Sequence, residues 1–190
     1  MNRILKRNWR IVIIFITSFI TFFLVEFLFR IMSNQPVFSF GFFRLLMFTT
    51  VSALIMSVLL SYLSEKLANI GLLAVVWFFS IYSLAQLGFK NYLGNYFSWS
   101  IIKNTLGGVA DYAGDFMRYL KPVYFLTLVP AVLLTLMILT KLFVIPKKKP
   151  HWPIWAATLI LTIAMHFLSV GSLYLFNNET ALHKAYTLYE

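Results

Sequence analysis

Long apolar runs separated by short polar stretches dominate the chain. They cover about Ile11 to Met32, Phe42 to Leu63, Gly71 to Phe89, Val123 to Ile145 and Ile154 to Phe176. Each is near the roughly 20 residues that cross about 30 Å of hydrocarbon at about 1.5 Å per residue. Hydrocarbon offers no hydrogen-bonding partner, so a segment there must satisfy its own backbone, which selects the α-helix. The pattern predicts an all-α, polytopic membrane protein with five transmembrane helices. Pro130 falls inside the fourth run and predicts a kink or loosening there, because it lacks an N–H and its ring crowds the preceding turn. Pro122 and Pro153 suit helix starts.

The connection between the third and fourth runs, residues 90–121, is too aromatic and apolar for a simple linker. Tyr92, Tyr96, Phe97 and Trp99 form an aromatic cluster suited to anchoring at a membrane–water interface. Further on, Leu106, Val109, Ala113, Phe116, Met117 and Leu120 recur at helical spacing, with Asn104, Asp111, Asp115 and Arg118 mostly opposite. This spacing predicts an amphipathic interfacial helix between spans three and four, with Gly107-Gly108 breaking it from the segment before.

Composition sharpens the class. Hydrophobic residues make up 61% of the chain and charged residues 12%, against about 25% charged in a soluble domain. The formal net charge of +10 invites a nucleic-acid reading. The Lys and Arg, however, sit at the ends of apolar runs, where they act as topology signals and anchors for anionic headgroups. No nucleic-acid partner is expected. There is no cysteine, which excludes disulfides, thiolate metal sites and cysteine nucleophiles. The run after the basic N-terminus is too long for a signal-peptide core of roughly 7–15 residues, so it reads as a retained first span.

Charge placement orients the spans. One side of the bundle would carry Arg3, Lys6, Arg7, Arg10, Lys66, Lys141 and Lys147–Lys149. The other would carry Arg30, Arg44, Lys90, Lys103, Arg118, Lys121 and Lys184, partly offset by Glu26, Asp111, Asp115 and Glu179. Both dense clusters share the first side. The positive-inside rule then predicts a multi-pass protein of the cell membrane with a cytoplasmic N-terminus and an extracellular C-terminus. Residues 177–190 read as the start of an extracellular linker, where an external domain could begin.

Candidate chemistry is sparse. Glu26 and Arg30 lie four apart near the outer end of span one, on one helix face. They read as an ion pair lining a headgroup or substrate pocket, or as a pair that snorkels to the interface and fixes tilt; the second reading is preferred. Arg30, Arg44 and Arg118 could hold a lipid phosphate together, or serve as ordinary flanking arginines. His166 in span five and Gln86 in span three read as neutral polar groups hydrogen-bonded inside the bundle. Thr49, Ala53, Ser57 and Ser61, each four apart, form a small-residue stripe that lets another helix approach span two closely. No phosphate-cradling loop, paired His, nucleophile elbow or carboxylate cluster occurs, so neither catalytic residue nor metal ligand is assigned.

The third loop carries a family likeness. Tyr92-Leu-Gly-Asn-Tyr96-Phe97-Ser-Trp99-Ser-Ile-Ile-Lys-Asn-Thr-Leu-Gly-Gly108 resembles the aromatic stretch after span three in the membrane domain of the lipoteichoic acid synthase family. Leu182 to Glu190 resembles the start of that family's linker to its catalytic domain. Members are sulfatase-like phosphoglycerol transferases of Gram-positive bacteria. The resemblance implies a parent enzyme that takes glycerol phosphate from phosphatidylglycerol, using a threonine nucleophile and a divalent metal, typically manganese, in an extracellular domain. No position here matches that nucleophile or its metal ligands, so no cofactor is expected in this chain. Phosphatidylglycerol or another anionic lipid, and the extracellular catalytic domain of the same protein, would be its partners. The alternatives from the residues alone are a self-contained small permease or channel subunit and a helix-packing scaffold.

Overall fold

Apolar runs with few internal breakers fold as helices, and capping chemistry sets their ends. In the computed structural model the described residues are 3–35, 40–96 and 118–176, excluding the side chains of residues 3–7, 40, 41, 44 and 170–176. They form α1 (Arg3–Met32), α2 (Phe40–Ser61), α3 (Glu65–Leu93), a 3-10 helix (Pro122–Leu128) that runs into α4 (Val129–Leu139), and α5 (Trp152–Phe176). Among the described residues there is no strand. The stretches Asn8–Met32, Glu65–Leu93, Pro122–Leu139 and Trp152–Ser169 are long and apolar enough to cross a membrane, and Leu45–Ser61 of α2 is a shorter apolar helix.

The bounds differ from the apolar runs in instructive ways. Helix α1 starts well before Ile11, inside the basic segment. Helix α3 is longer at both ends. The Ser64 side chain accepts from the Leu67 N–H at 3.3 Å, Glu65 complements the positive helix end, and Gly94 closes the helix with φ of 76°. Residues Lys90–Leu93, expected in the interfacial segment, therefore continue α3. Of the remainder of that segment, 97–117 lies outside the described residues, as does the tail 177–190. Helix α4 ends at Leu139 instead of Ile145. Lys141 turns left-handed with φ of 58°, and the Phe143 N–H donates to the Met137 carbonyl. That turn folds Phe143 and Ile145 back into the core instead of extending the helix.

Pro130 has the predicted loosening effect in a specific form. Proline cannot donate to the Leu126 carbonyl, and its ring crowds that oxygen. The Val129 N–H takes the Leu126 carbonyl instead, and the turns before it wind as 3-10 helix. Pro122 and Pro153 lie in the first turns of their helices.

Helix α1 is central, packed against α2, α3, the 3-10 helix and α4. The core gathers Ile14 and Phe22 from α1, Met56 and Leu60 from α2, Ala68, Leu72 and Val76 from α3, and Ala131 and Leu134 from α4. Burying each large aliphatic side chain contributes roughly 1.5–3 kcal/mol in water. In a bilayer that term shrinks, and close packing carries more of the weight. The α2 stripe Thr49, Ala53, Ser57 and Ser61 is buried along its whole length. Gly71 permits a similarly close approach of α3 to α2, since a Cβ there would come within 2.9 Å of Leu60 Cδ2. Trp77 Nε1 donates to Thr135 Oγ1 at 3.1 Å and joins α3 to α4. Helix α5 is peripheral and packs chiefly on α2, where Trp155 Nε1 donates to the Val58 carbonyl at 3.0 Å.

Candidate functional site

Polar side chains collect at the two ends of the bundle. At the end where α1 begins, Arg10 is 1% exposed. Its Nη2 donates to the Leu63 carbonyl at 2.6 Å, and its Nη1 donates to the Pro146 and Lys147 carbonyls at 3.0 and 3.3 Å. Next to it, the His151 N–H donates to Asn8 Oδ1 at 3.1 Å. The start of α1, the α2–α3 turn and the α4–α5 connection are thereby tied together.

At the opposite end α1, α2 and α3 part to leave a cleft. Its volume is about 430 Å³, and Glu26 and Arg30 line it with Leu45, Phe48, Thr49 and Ser52 of α2 and Phe79 and Ser83 of α3. A second cavity of about 360 Å³ shares Glu26, Phe79 and Ser83, and adds Phe29, Tyr82, Gln86 and Tyr96. Glu26 thus stands between two mostly apolar hollows. Its Oε1 accepts from Arg30 Nε at 3.3 Å, within the same helix face. The four-residue spacing places both groups on the cleft side of α1.

A polar seam closes this end above the cavities. Tyr96 Oη accepts from Gln35 Nε2 at 2.9 Å and from Lys90 Nζ at 3.1 Å. Lys90 Nζ also donates to the Ser33 carbonyl at 2.5 Å, joining the ends of α1 and α3. Gln86 is buried and donates to Tyr82 Oη at 2.7 Å, one turn back on its own helix. Asn91 Nδ2 donates to the Tyr119 carbonyl at 2.8 Å, and the Tyr92 and Tyr119 rings lie 4.8 Å apart. An arginine beside a carboxylate in an apolar-walled cleft can bind one anionic group while the walls take an acyl chain or glycerol backbone.

The structure brings some of the predicted residues together. Arg30 and Glu26 pair on the cleft, and Arg118 is exposed on the segment that meets the end of α3. Arg44 lies in the second turn of α2 at the same end, but its side chain is outside the described residues, as are Trp99, Asp111 and Asp115. Tyr92 packs on Tyr119, and Tyr96 packs on Phe29 of α1 and bonds to Gln35 just beyond that helix. His166 departs from expectation. It is exposed and makes no hydrogen bond among the described residues, because α2 covers only part of α5. No group of three or more His, Asp or Glu gathers among the described residues.

Sequence reasoning missed Arg10 as a structural tie. The signal was present, since Arg10, Ile14, Ser18 and Phe22 are spaced by four and all lie on the buried face. It also missed Ser52, Tyr82 and Ser83 as cleft residues, and nothing in their local sequence distinguishes them. No protein-family model, curated protein or solved structure matches this chain.

Proposed function

We propose that the chain is a five-span module of the cell membrane that holds a lipid headgroup in the α1–α2–α3 cleft. In this reading α2 is the fifth span, and the Arg10 end, with the dense basic runs, faces the cytoplasm. The cleft then opens in the outer half of the bilayer. The observation that carries the reading is the Glu26–Arg30 pair on the wall of a mostly apolar hollow, at the end remote from the basic runs. The pair lies near the outer end of α1 and not at the midplane, and an ion pair presented to a groove there suits a polar headgroup.

The parent activity follows from the third-loop resemblance to lipoteichoic acid synthases. The module anchors, and presents phosphatidylglycerol to, an extracellular phosphoglycerol transferase domain. Catalytic groups and any manganese belong to that domain. Arg30 would meet the lipid phosphate directly, with Arg44 and Arg118 as further contacts at the same end.

Two measurements test this. The chain has no cysteine, so single substitutions report topology without a background. Gln35→Cys should react with a membrane-impermeant maleimide on intact cells, and Lys148→Cys only after permeabilisation; the reverse pattern overturns the orientation. Phosphatidylglycerol retained through detergent purification, quantified by mass spectrometry, should fall several-fold in Arg30→Gln. Equal retention in Arg30→Gln and the unmodified chain removes Arg30 from the headgroup site.

A further inference from the structure

Arg10 brings together basic segments that are remote in sequence. Its bonds to the Pro146 and Lys147 carbonyls hold the Lys147–Lys149 run against the start of α1, where Arg3, Lys6 and Arg7 lie in the first turns. Its bond to the Leu63 carbonyl places the start of α3, with exposed Lys66, beside them. Lys147, Lys148 and Lys149 are all exposed. Glu65 is the one acidic residue that the described part of the sequence supplies at this end. Arg10 itself is buried and spent on carbonyls, so it shapes the surface without being part of it.

A second observation fixes the depth of this surface. Trp9 and Trp152 are 45% and 68% exposed, and Tyr62 lies at the same end, with its ring 6.0 Å from Lys149 Nζ. Exposed Trp and Tyr at the end of a spanning bundle sit at headgroup level. Lysines beside them are then level with lipid phosphates and not raised into solvent.

We propose that this end is a composite binding surface for the headgroups of anionic lipids in the adjoining leaflet, with Lys147–Lys149 and Lys66 as contacts and Arg10 as the positioning residue. It is separate from the Glu26–Arg30 cleft, at the other end of the bundle. The proposal rests on the reading of the helices as membrane spans. Each lysine near an anionic surface strengthens association roughly fivefold at moderate salt, and fixing the runs side by side makes those contributions act on the same few lipids.

The test uses the full chain reconstituted in phosphatidylcholine vesicles carrying a minor fraction of brominated phosphatidic acid. Tryptophan quenching in a Trp99→Phe background then reports local enrichment mainly near Trp9, Trp152 and Trp155, with Trp77 inside the bundle. The expected result is several-fold stronger quenching than with the same fraction of brominated phosphatidylcholine, lost at ~1 M salt, where the screening length is about 3 Å. The triple variant Lys147→Gln, Lys148→Gln, Lys149→Gln should remove most of the difference between the two lipids. Arg10→Gln should weaken the preference with every surface lysine intact. Equal quenching by both lipids, or full preference in the triple variant, overturns the proposal. So does tighter binding of soluble inositol hexakisphosphate with no lipid preference. Resistance of the chain to carbonate extraction is scored in parallel: a chain stripped from the vesicles sinks the membrane reading as well, whereas one that stays without lipid preference sinks only this surface.

Discussion

A guanidinium donating to three backbone carbonyls from two connections is a group whose removal leaves several oxygens short of partners at once. Hydrogen bonds from a charged donor contribute about 1.5–3 kcal/mol each, and orphaned buried acceptors add their own cost. The three bonds are only partly buried, so water recovers part of the loss, and Arg10→Met should lower stability by about 3 kcal/mol, read as a fall in the thermal midpoint of the detergent-solubilised chain. Arg10→Lys should rescue little, because an ammonium lacks the planar fork that reaches Leu63 and Pro146 together. His166 presents the opposite case. An exposed imidazole on a helix of lipid-facing composition gains nothing from the bundle, so His166→Leu should leave the midpoint unchanged or raise it. A clear fall in the midpoint would show that the ring has a stabilising partner within the chain. These two residues also mark the limits of reading the sequence alone. Arg10 stood at the edge of an apolar run, and only its register with Ile14 and Ser18 separated a structural tie from a topology signal. For His166, position along the run gave depth but not direction, since Thr162 and Ser169 at neighbouring turns of α5 are buried while the ring is exposed.

Among the elements, α2 shows how a small-residue stripe becomes a packing surface. Thr49, Ala53, Ser57 and Ser61 are buried, and Ser57 and Ser61 turn their hydroxyls back to the Leu54 and Val58 carbonyls. The polar atoms are thus satisfied within the helix, and the seam can close. Ala53→Leu should cost about 1–3 kcal/mol by overpacking, whereas Ile55→Leu on the exposed side should cost little. Helix α5 has one principal neighbour and is the element held least firmly. Trp155→Phe, which removes the donor to Val58, should raise amide exchange in α5 before any change appears in α1 or α3. Element identity was legible from the apolar runs, but the ends were not. Ser64 and Gly94 lengthen α3 through caps that lie outside its apolar stretch. The left-handed Lys141 shortens α4 although the residues beyond it stay apolar.

For the molecule as a whole, the two ends have different chemistry. One joins its connections through Arg10 and Asn8, and the other opens between three helices around Glu26. The division followed from charge order in the sequence, whereas the cleft required three helices to be placed together, since α2 contributes Thr49 and Ser52 from a segment read only as packing surface. If the cleft holds a headgroup, added phosphatidylglycerol should raise the thermal midpoint of the unmodified chain and have a smaller effect on Glu26→Gln and Arg30→Gln.

The 3-10 winding before Pro130 has a consequence for length. An α-helix over Pro122–Leu139 would measure about 27 Å at 1.5 Å per residue, short of a hydrocarbon slab of about 30 Å. The seven residues Pro122–Leu128 rise about 2.0 Å each instead, and the stretched segment gains some 3–4 Å. One proline, by forbidding a single backbone bond, lets an otherwise undersized rod reach the thickness of a hydrocarbon slab.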